Sequence, residues 1–296
     1  MNLSKLKIAL LPIDPQYDFH DIPEERQVIT GYDENNNPIR VAPALPVPGS
    51  WEDAQRLGAF IEKFMMNISK IVVTLDSHQR YDIAHPLYWR DKNGNHPSPF
   101  TPISNQEIKD GVWTPVNSAL MQHVLDYTAA LEAEGKYALF IWPPHCLVGE
   151  PGHNIVQPVM EAIAKWEERR FTRYMPLAKG HNPHTEHYGG CEAEYPMPND
   201  ASTRLNKNFI KSIESNDIVL ITGQALSHCV ASTVRQIADN FAEENIQKLV
   251  LLVDTTSSVA GFEQQGQDFI DEMVARGMRV AKTTDFKLNR EGQIEF

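Results

Sequence analysis

Six short apolar runs, separated by longer amphipathic stretches, constrain this chain more than any other feature. The runs are KIALLPID (7–14), KIVVTLD (70–76), YALFIW (137–142), DIVLIT (217–222), KLVLLVD (248–254) and MRVAKT (278–283). Most lack the polar alternation of a half-exposed strand, so they read as strands buried on both faces. Helix-length stretches with one apolar face lie at 50–69, 116–135, 153–170 and 262–277, and another follows Cys229. This alternation predicts an α/β fold with a mainly parallel sheet covered by helices on both faces.

Ligands of such sheets bind beyond the carboxyl ends of the strands. At those ends stand Asp14, then Asp76 with His78, then His145 and Cys146 in WPPHC, and Cys229 in GQALSHC; the segment RYMPLAKG adds Lys179. One sheet edge is therefore expected to gather carboxylates, imidazoles, an ammonium and a thiol. A net charge of -12 and a pI near 5.4 argue against nucleic acid as the partner, since phosphate backbones require a basic face. A small molecule fits better. No run approaches the roughly 20 apolar residues of a membrane span, so no membrane partner is expected. The apolar run at the N-terminus is too brief for a signal peptide, and three cysteines without framework spacing suggest a reducing compartment. A cytoplasmic location is expected.

Each residue has a plainer reading beside the chemical one. Asp14 precedes Pro15 and can simply cap a turn. Asp76 and His78 are two apart in an extended segment, which turns both side chains to the same side, as metal ligands require. Paired prolines stiffen the backbone before His145, which can also be a loop histidine packed on Trp142. Cys146 reads as a small buried hydrophobe. Cys229 falls in the first turn of a predicted helix, where the dipole and free N–H groups lower a thiol pKa; Lys179 would lower it further. The alternative is an inert core cysteine.

Taken together, Asp14 in IDPQYDF, the DSH of Asp76 and His78, WPPHC, the KG at Lys179 and the SHCV at Cys229 resemble the isochorismatase-like cysteine hydrolases, specifically the nicotinamidase/pyrazinamidase branch. The motifs come in the family order and span residues 8–254. The resemblance implies a three-layer α/β/α Rossmann-like fold with a six-stranded sheet, in a single domain over 1–296. It implies an Asp14–Lys179–Cys229 triad, an oxyanion hole from the N–H groups of Ala225 and Cys229, and a cis peptide at Gln224–Ala225. It also implies one divalent metal on Asp76, His78 and His145, with His85 as a further ligand candidate, zinc as the first choice and Mn or Fe open. Phe19 and Trp142 become the aromatic walls of the pocket.

The activity so implied is metal-dependent amide hydrolysis, nicotinamide to nicotinate and ammonia through a thioester, in a homo-oligomer. An amidase of the same mechanism acting on another small amide or an N-carbamoyl substrate is a second reading. A non-catalytic binding protein on the same fold is a third. A dinucleotide-binding dehydrogenase is excluded by the absence of a glycine-rich turn after the first strand.

The chain departs from the compact family pattern in two places. About 60 residues separate His85 from His145, an insertion at about 86–135 that reads as a lid or an oligomer contact. Within it His96 competes with His85 for the ligand role. After Lys179 comes HNPHTEHYGGCEAEYP, where His181, His184 and His187 can form a second metal site, line the pocket or face solvent.

Overall fold

The computed structural model describes residues 6–289 and 294–295. Its centre is a six-stranded sheet of β1 (Ile8–Ile13), β2 (Ile68–Asp76), β3 (Met175–Lys179), β4 (Ile218–Gly223), β5 (Leu249–Leu252) and β6 (Arg279–Ala281). The strand order is β3-β2-β1-β4-β5-β6 and every pairing is parallel. The order reverses between β1 and β4, which makes the crevice beyond their carboxyl ends the place for a ligand.

Main helices are α1 (Ser50–Phe64), α2 (Met121–Ala133), α3 (Gln157–Arg170), α4 (Lys207–Glu214), α5 (Ala231–Ala238) and α6 (Glu263–Ala275). The period-2 geometry of a strand sends Ile8 and Leu10 to one face of the sheet and Leu11 and Ile13 to the other. On the first face they meet Leu57, Phe60 and Ile61 of α1 and Val159, Ile163 and Trp166 of α3. On the second they meet Ile210 and Ile213 of α4, Val234 and Ile237 of α5, and Phe269 and Met273 of α6. Each such side chain contributes about 1.5–3 kcal/mol when fully buried, which is why both faces must be covered. Among the described residues no helix is long and apolar enough to cross a membrane.

The expected strand at 137–142 is not part of this sheet. Leu139–Ile141 pairs antiparallel with Thr101–Ile103 instead. Leu139 and Ile141 are apolar because they help fill a separate cluster with Trp89, Ile103, Val124 and Leu131. The sixth place in the sheet goes to β3, an edge strand that is exposed at Met175, Pro176 and Ala178. An edge is where a proline, lacking an N–H, is tolerated in a sheet.

Gly223 closes β4 opposite Ile13 of β1, with φ at +111°. A Cβ built there would lie 1.9 Å from the Ile13 carbonyl oxygen, so only glycine allows the two strands to approach this closely.

Candidate active site

Asp14 leaves the end of β1, Lys179 ends β3, and Cys229 follows β4 in a wide turn, Leu226–Val230, just before α5. Lys179 Nζ lies 3.0 Å from Asp14 Oδ2 and 3.1 Å from Asp76 Oδ1. It also donates to the His187 carbonyl at 2.8 Å and to Cys229 Sγ at 3.7 Å. The Thr74 hydroxyl donates to Asp14 Oδ1 at 2.5 Å, fixing the carboxylate from β2. Asp14, Asp76 and Cys229 each place a ligand-type atom within 4.8 Å of the others, and all three are buried.

Burial sets the protonation states. It opposes the charge on Lys179, but Asp14 and Asp76 outweigh it and hold the ammonium pKa well above its usual value. Burial raises the Asp14 carboxyl, with Lys179 pulling the other way. The expectation of a lowered thiol pKa at Cys229 is overturned: burial pushes it well above the ordinary thiol value, Lys179 offsets this only in part, and Asp14 and Asp76 push it further up. The thiol therefore rests protonated, and using it as a nucleophile requires a base beside it.

A second group adjoins the first through Asp76. Asp76 Oδ2 stands 3.1 Å from His78 Nε2 and 3.4 Å from His145 Nε2. His78 turns its other nitrogen to Asp82 at 3.0 Å, and His145 turns Nδ1 to the Pro143 carbonyl at 2.9 Å. Metal-binding histidines are oriented by this kind of partner on the far nitrogen. His78 Nε2 is buried and makes no hydrogen bond despite its closeness to Asp76. An oxygen and two imidazole nitrogens at these separations fit a divalent ion such as Zn, Mn or Fe. Burial would raise the Asp76 carboxyl, but protonated His78 and Lys179 together hold it well below the usual range; Asp76 and Asp82 in turn outweigh burial and raise the His78 pKa, so an ion bound here would have to displace the His78 proton.

His85 stands outside this trio. Its Nδ1 bonds to the Gln79 carbonyl at 2.9 Å and its Nε2 faces His145 Nδ1 at 3.4 Å, on the side of His145 away from Asp76. His96 is bonded to the Trp89 carbonyl at 2.6 Å, inside the inserted segment. The other three histidines do not assemble either: His184 pairs with the Tyr88 hydroxyl at 3.0 Å, and His187 accepts from Gly180 N–H at 3.4 Å. No group of metal-ligating atoms among the described residues includes His181, His184 or His187.

Phe19, Trp142, Ala225 and Cys229 line one cavity with Asp76 and His145. Trp142 is fixed by its indole N–H, which donates to the Tyr188 hydroxyl at 2.9 Å. The Gln224–Ala225 bond is cis. Leu45, Glu186, Tyr188, His228 and Val259 complete the lining, and none of them is singled out by sequence reasoning. Each comes from a connecting segment whose course depends on the folded chain. Glu186 alone carries a signal, an acid among histidines just after the lysine strand.

No residue of 86–135 lines this cavity. The segment braces the connection after β3 instead: Tyr88 and His123 bond to His184, the latter at 2.7 Å to its carbonyl, and the Tyr127 hydroxyl lies 3.4 Å from Glu186 N. A larger cleft of about 580 Å³ opens elsewhere, beside Lys136, Arg235 and Glu272. Its principal charges are already paired, Lys136 with Glu134 and Arg235 with Glu272, so chemistry rather than size locates the site.

Against solved structures, the fold matches a yeast nicotinamidase with a TM-score of 0.58 at 19% identity, over 93% of this chain and 99% of that one. This is the nicotinamidase fold. An Acinetobacter baumanii nicotinamidase gives 0.55 at 16% identity, covering 95% of this chain and 99% of that one. A Pyrococcus horikoshii pyrazinamidase solved in complex with zinc gives 0.51 at 18% identity, covering 93% and 99%. No family model and no curated protein matches the sequence. The nicotinamidase fold thus persists here at low identity, and the activity has to be argued from the site.

Proposed function

We propose that this chain is a cysteine amidohydrolase of nicotinamidase type, converting nicotinamide to nicotinate and ammonia. The observation that carries the reading is the buried ammonium of Lys179, 3.0 Å from Asp14 Oδ2 and 3.7 Å from Cys229 Sγ. It supplies a carboxylate base and a thiol with one fixed charge between them.

Amide hydrolysis then proceeds in two halves. Asp14 takes the Cys229 proton as sulfur attacks the carboxamide carbon, and the N–H groups of Ala225 and Cys229 receive the developing oxyanion. The C–N bond breaks and the proton on Asp14 leaves with ammonia. Asp14 next deprotonates a water that attacks the thioester; the C–S bond breaks, giving the acid and restoring the thiol. Lys179 keeps Asp14 and the sulfur in register throughout. Asp76, His78 and His145 would hold a divalent ion, which when bound supplies an electrophilic contact for the ring nitrogen of the substrate. Phe19 and Trp142 would flank the ring.

The cavity has a volume of about 20 Å³, room for about one water. Substrate entry therefore requires the walls to shift. The test is ammonia release from nicotinamide by protein loaded in turn with Zn, Mn and Fe, beside Cys229→Ala. Turnover in the wild type and a loss of about 10⁴-fold or more in the variant is the expected result. Silence with all three metals would sink the nicotinamide assignment and direct the search to other small amides and N-carbamoyl compounds.

A further inference from the structure

Gln224 puts a buried amide directly before the turn that carries Cys229. Its side chain is engaged at both ends: Nε2 donates to Asp53 Oδ2 at 2.9 Å, and Oε1 accepts the Ser257 N–H at 3.1 Å. The Gln224 N–H donates to the Ile13 carbonyl at 2.8 Å. One residue beyond Ala225, the Leu226 N–H donates to the Ser257 carbonyl, also at 2.8 Å. The chain is thus tied down immediately before and immediately after Ala225, whose N–H is one of the two proposed oxyanion donors.

These ties lead back to Asp53. It stands buried in the first turn of α1, a helix on the opposite face of the sheet from α5 and none of whose residues lines the cavity. Besides Gln224, Asp53 Oδ2 accepts the Ser257 hydroxyl at 2.6 Å, and Oδ1 accepts from the partly exposed Arg56 at 2.7 Å. One carboxylate oxygen therefore gathers the side chain at 224 and the segment at 257. A buried amide and a buried carboxylate are costly unless their hydrogen bonds are made, whereas an apolar side chain at 224 would need no partner at all. What the polar pair adds is direction. Oxyanion stabilisation depends on donors fixed in advance, and a displacement of about 1 Å can cost about 100-fold in rate.

We infer that Asp53 is a positioning residue of the reaction, holding the Ala225 N–H in place through Gln224 and Ser257. The inference rests on the amidohydrolase reading given above. The experiment measures kcat and KM for ammonia release from nicotinamide on the metal-loaded full chain, per folded molecule. Asp53→Ala, Gln224→Leu and the double variant are compared with Asp53→Asn. Leu131→Ala, in the separate cluster, shows what lost stability alone does. Asp53→Ala and Gln224→Leu are each expected to lower kcat by about 10- to 100-fold while KM stays within about threefold, since the donor matters most in the transition state. The double variant should lose no more than the worse single, because both changes cut the same link. Asp53→Asn keeps an acceptor oxygen for Gln224 and Ser257 and should recover most of the rate.

A kcat within about twofold of wild type for both Asp53→Ala and Gln224→Leu overturns the inference and leaves the amidohydrolase reading standing. So does a change confined to KM, or losses that simply add in the double variant. Should Asp53→Ala fail to fold, Ser257→Ala takes its place, since it removes a donor to the same oxygen and keeps the backbone bonds of residue 257. A wild type that releases no ammonia with Zn, Mn or Fe overturns the nicotinamide reading and this inference with it.

Discussion

The carboxyl edge of the sheet and the cluster built by the 86–135 segment are both buried, but they treat polar groups in opposite ways. In the cluster every polar handle is used: the Trp89 indole donates to the Ile83 carbonyl at 2.7 Å, and the Asn105 amide donates to Leu125 O at 2.7 Å and Thr128 Oγ1 at 2.9 Å. At the edge, Asp14 Oδ2 and Asp76 Oδ1 share the one Lys179 ammonium, His78 Nε2 faces Asp76 at 3.1 Å, and Glu186 Oε2 and His187 Nε2 are buried with no hydrogen bond. Natural cores rarely tolerate such groups, so their concentration marks where the chain gives up stability for chemistry. The cluster is scaffold, and the edge is the proposed reactive surface it steadies.

Lys179→Met strikes this contrast hardest. It leaves Asp14 and Asp76 facing each other without their shared cation, and the expected cost is about 3–5 kcal/mol in urea unfolding, together with loss of ammonia release. A lysine variant as stable as wild type would mean that the edge is not held together by charge. Leu131→Ala tests the other region. Leu131 is 2% exposed within the cluster of Trp89, Ile103 and Val124, so removing it should cost about 2–5 kcal/mol, while turnover per folded molecule stays within about twofold. A collapse of turnover without a loss of stability would make the cluster part of the machinery.

The effect that vanishes at neutral pH is in the pH dependence. Burial lowers the His20 pKa to about 4, and the ring stays neutral against the Gln16 carbonyl at 2.6 Å. An unfolded histidine binds its proton near pH 6.5. The His20 contribution is therefore complete above that value and is lost as pH falls towards about 4, at up to about 1.4 kcal/mol per pH unit. His20→Asn should flatten the stability profile in that window, as followed by unfolding midpoints across pH.

Much of this was legible in the sequence, for a physical reason. Four strands of the sheet, β1, β2, β4 and β5, are short apolar runs because both their faces are covered, and burial leaves a mark that survives in one dimension. The edge strand β3 is mostly exposed and carries no such mark, whereas Leu139–Ile141 carries it on behalf of a different core. Asp14, Asp76, Lys179 and Cys229 could be brought together in advance because all four sit at or just beyond strand ends of one sheet. Glu186, Tyr188 and His228 could not, since their positions depend on how connecting segments fold back. The state of Cys229 escaped for the same reason: a predicted helix start says nothing about how deep the thiol will lie.

The contact between Gly223 and the Ile13 carbonyl has one more consequence. Asp14 leaves β1 immediately after Ile13, and the turn that carries Cys229 follows Gly223 after Gln224 and Ala225. The gauge between the proposed base and the proposed nucleophile is thus set where the two strands touch, by an atom that is missing. Any side chain at 223 would act as a wedge between the rails, so the alphabet available at this position contains a single letter.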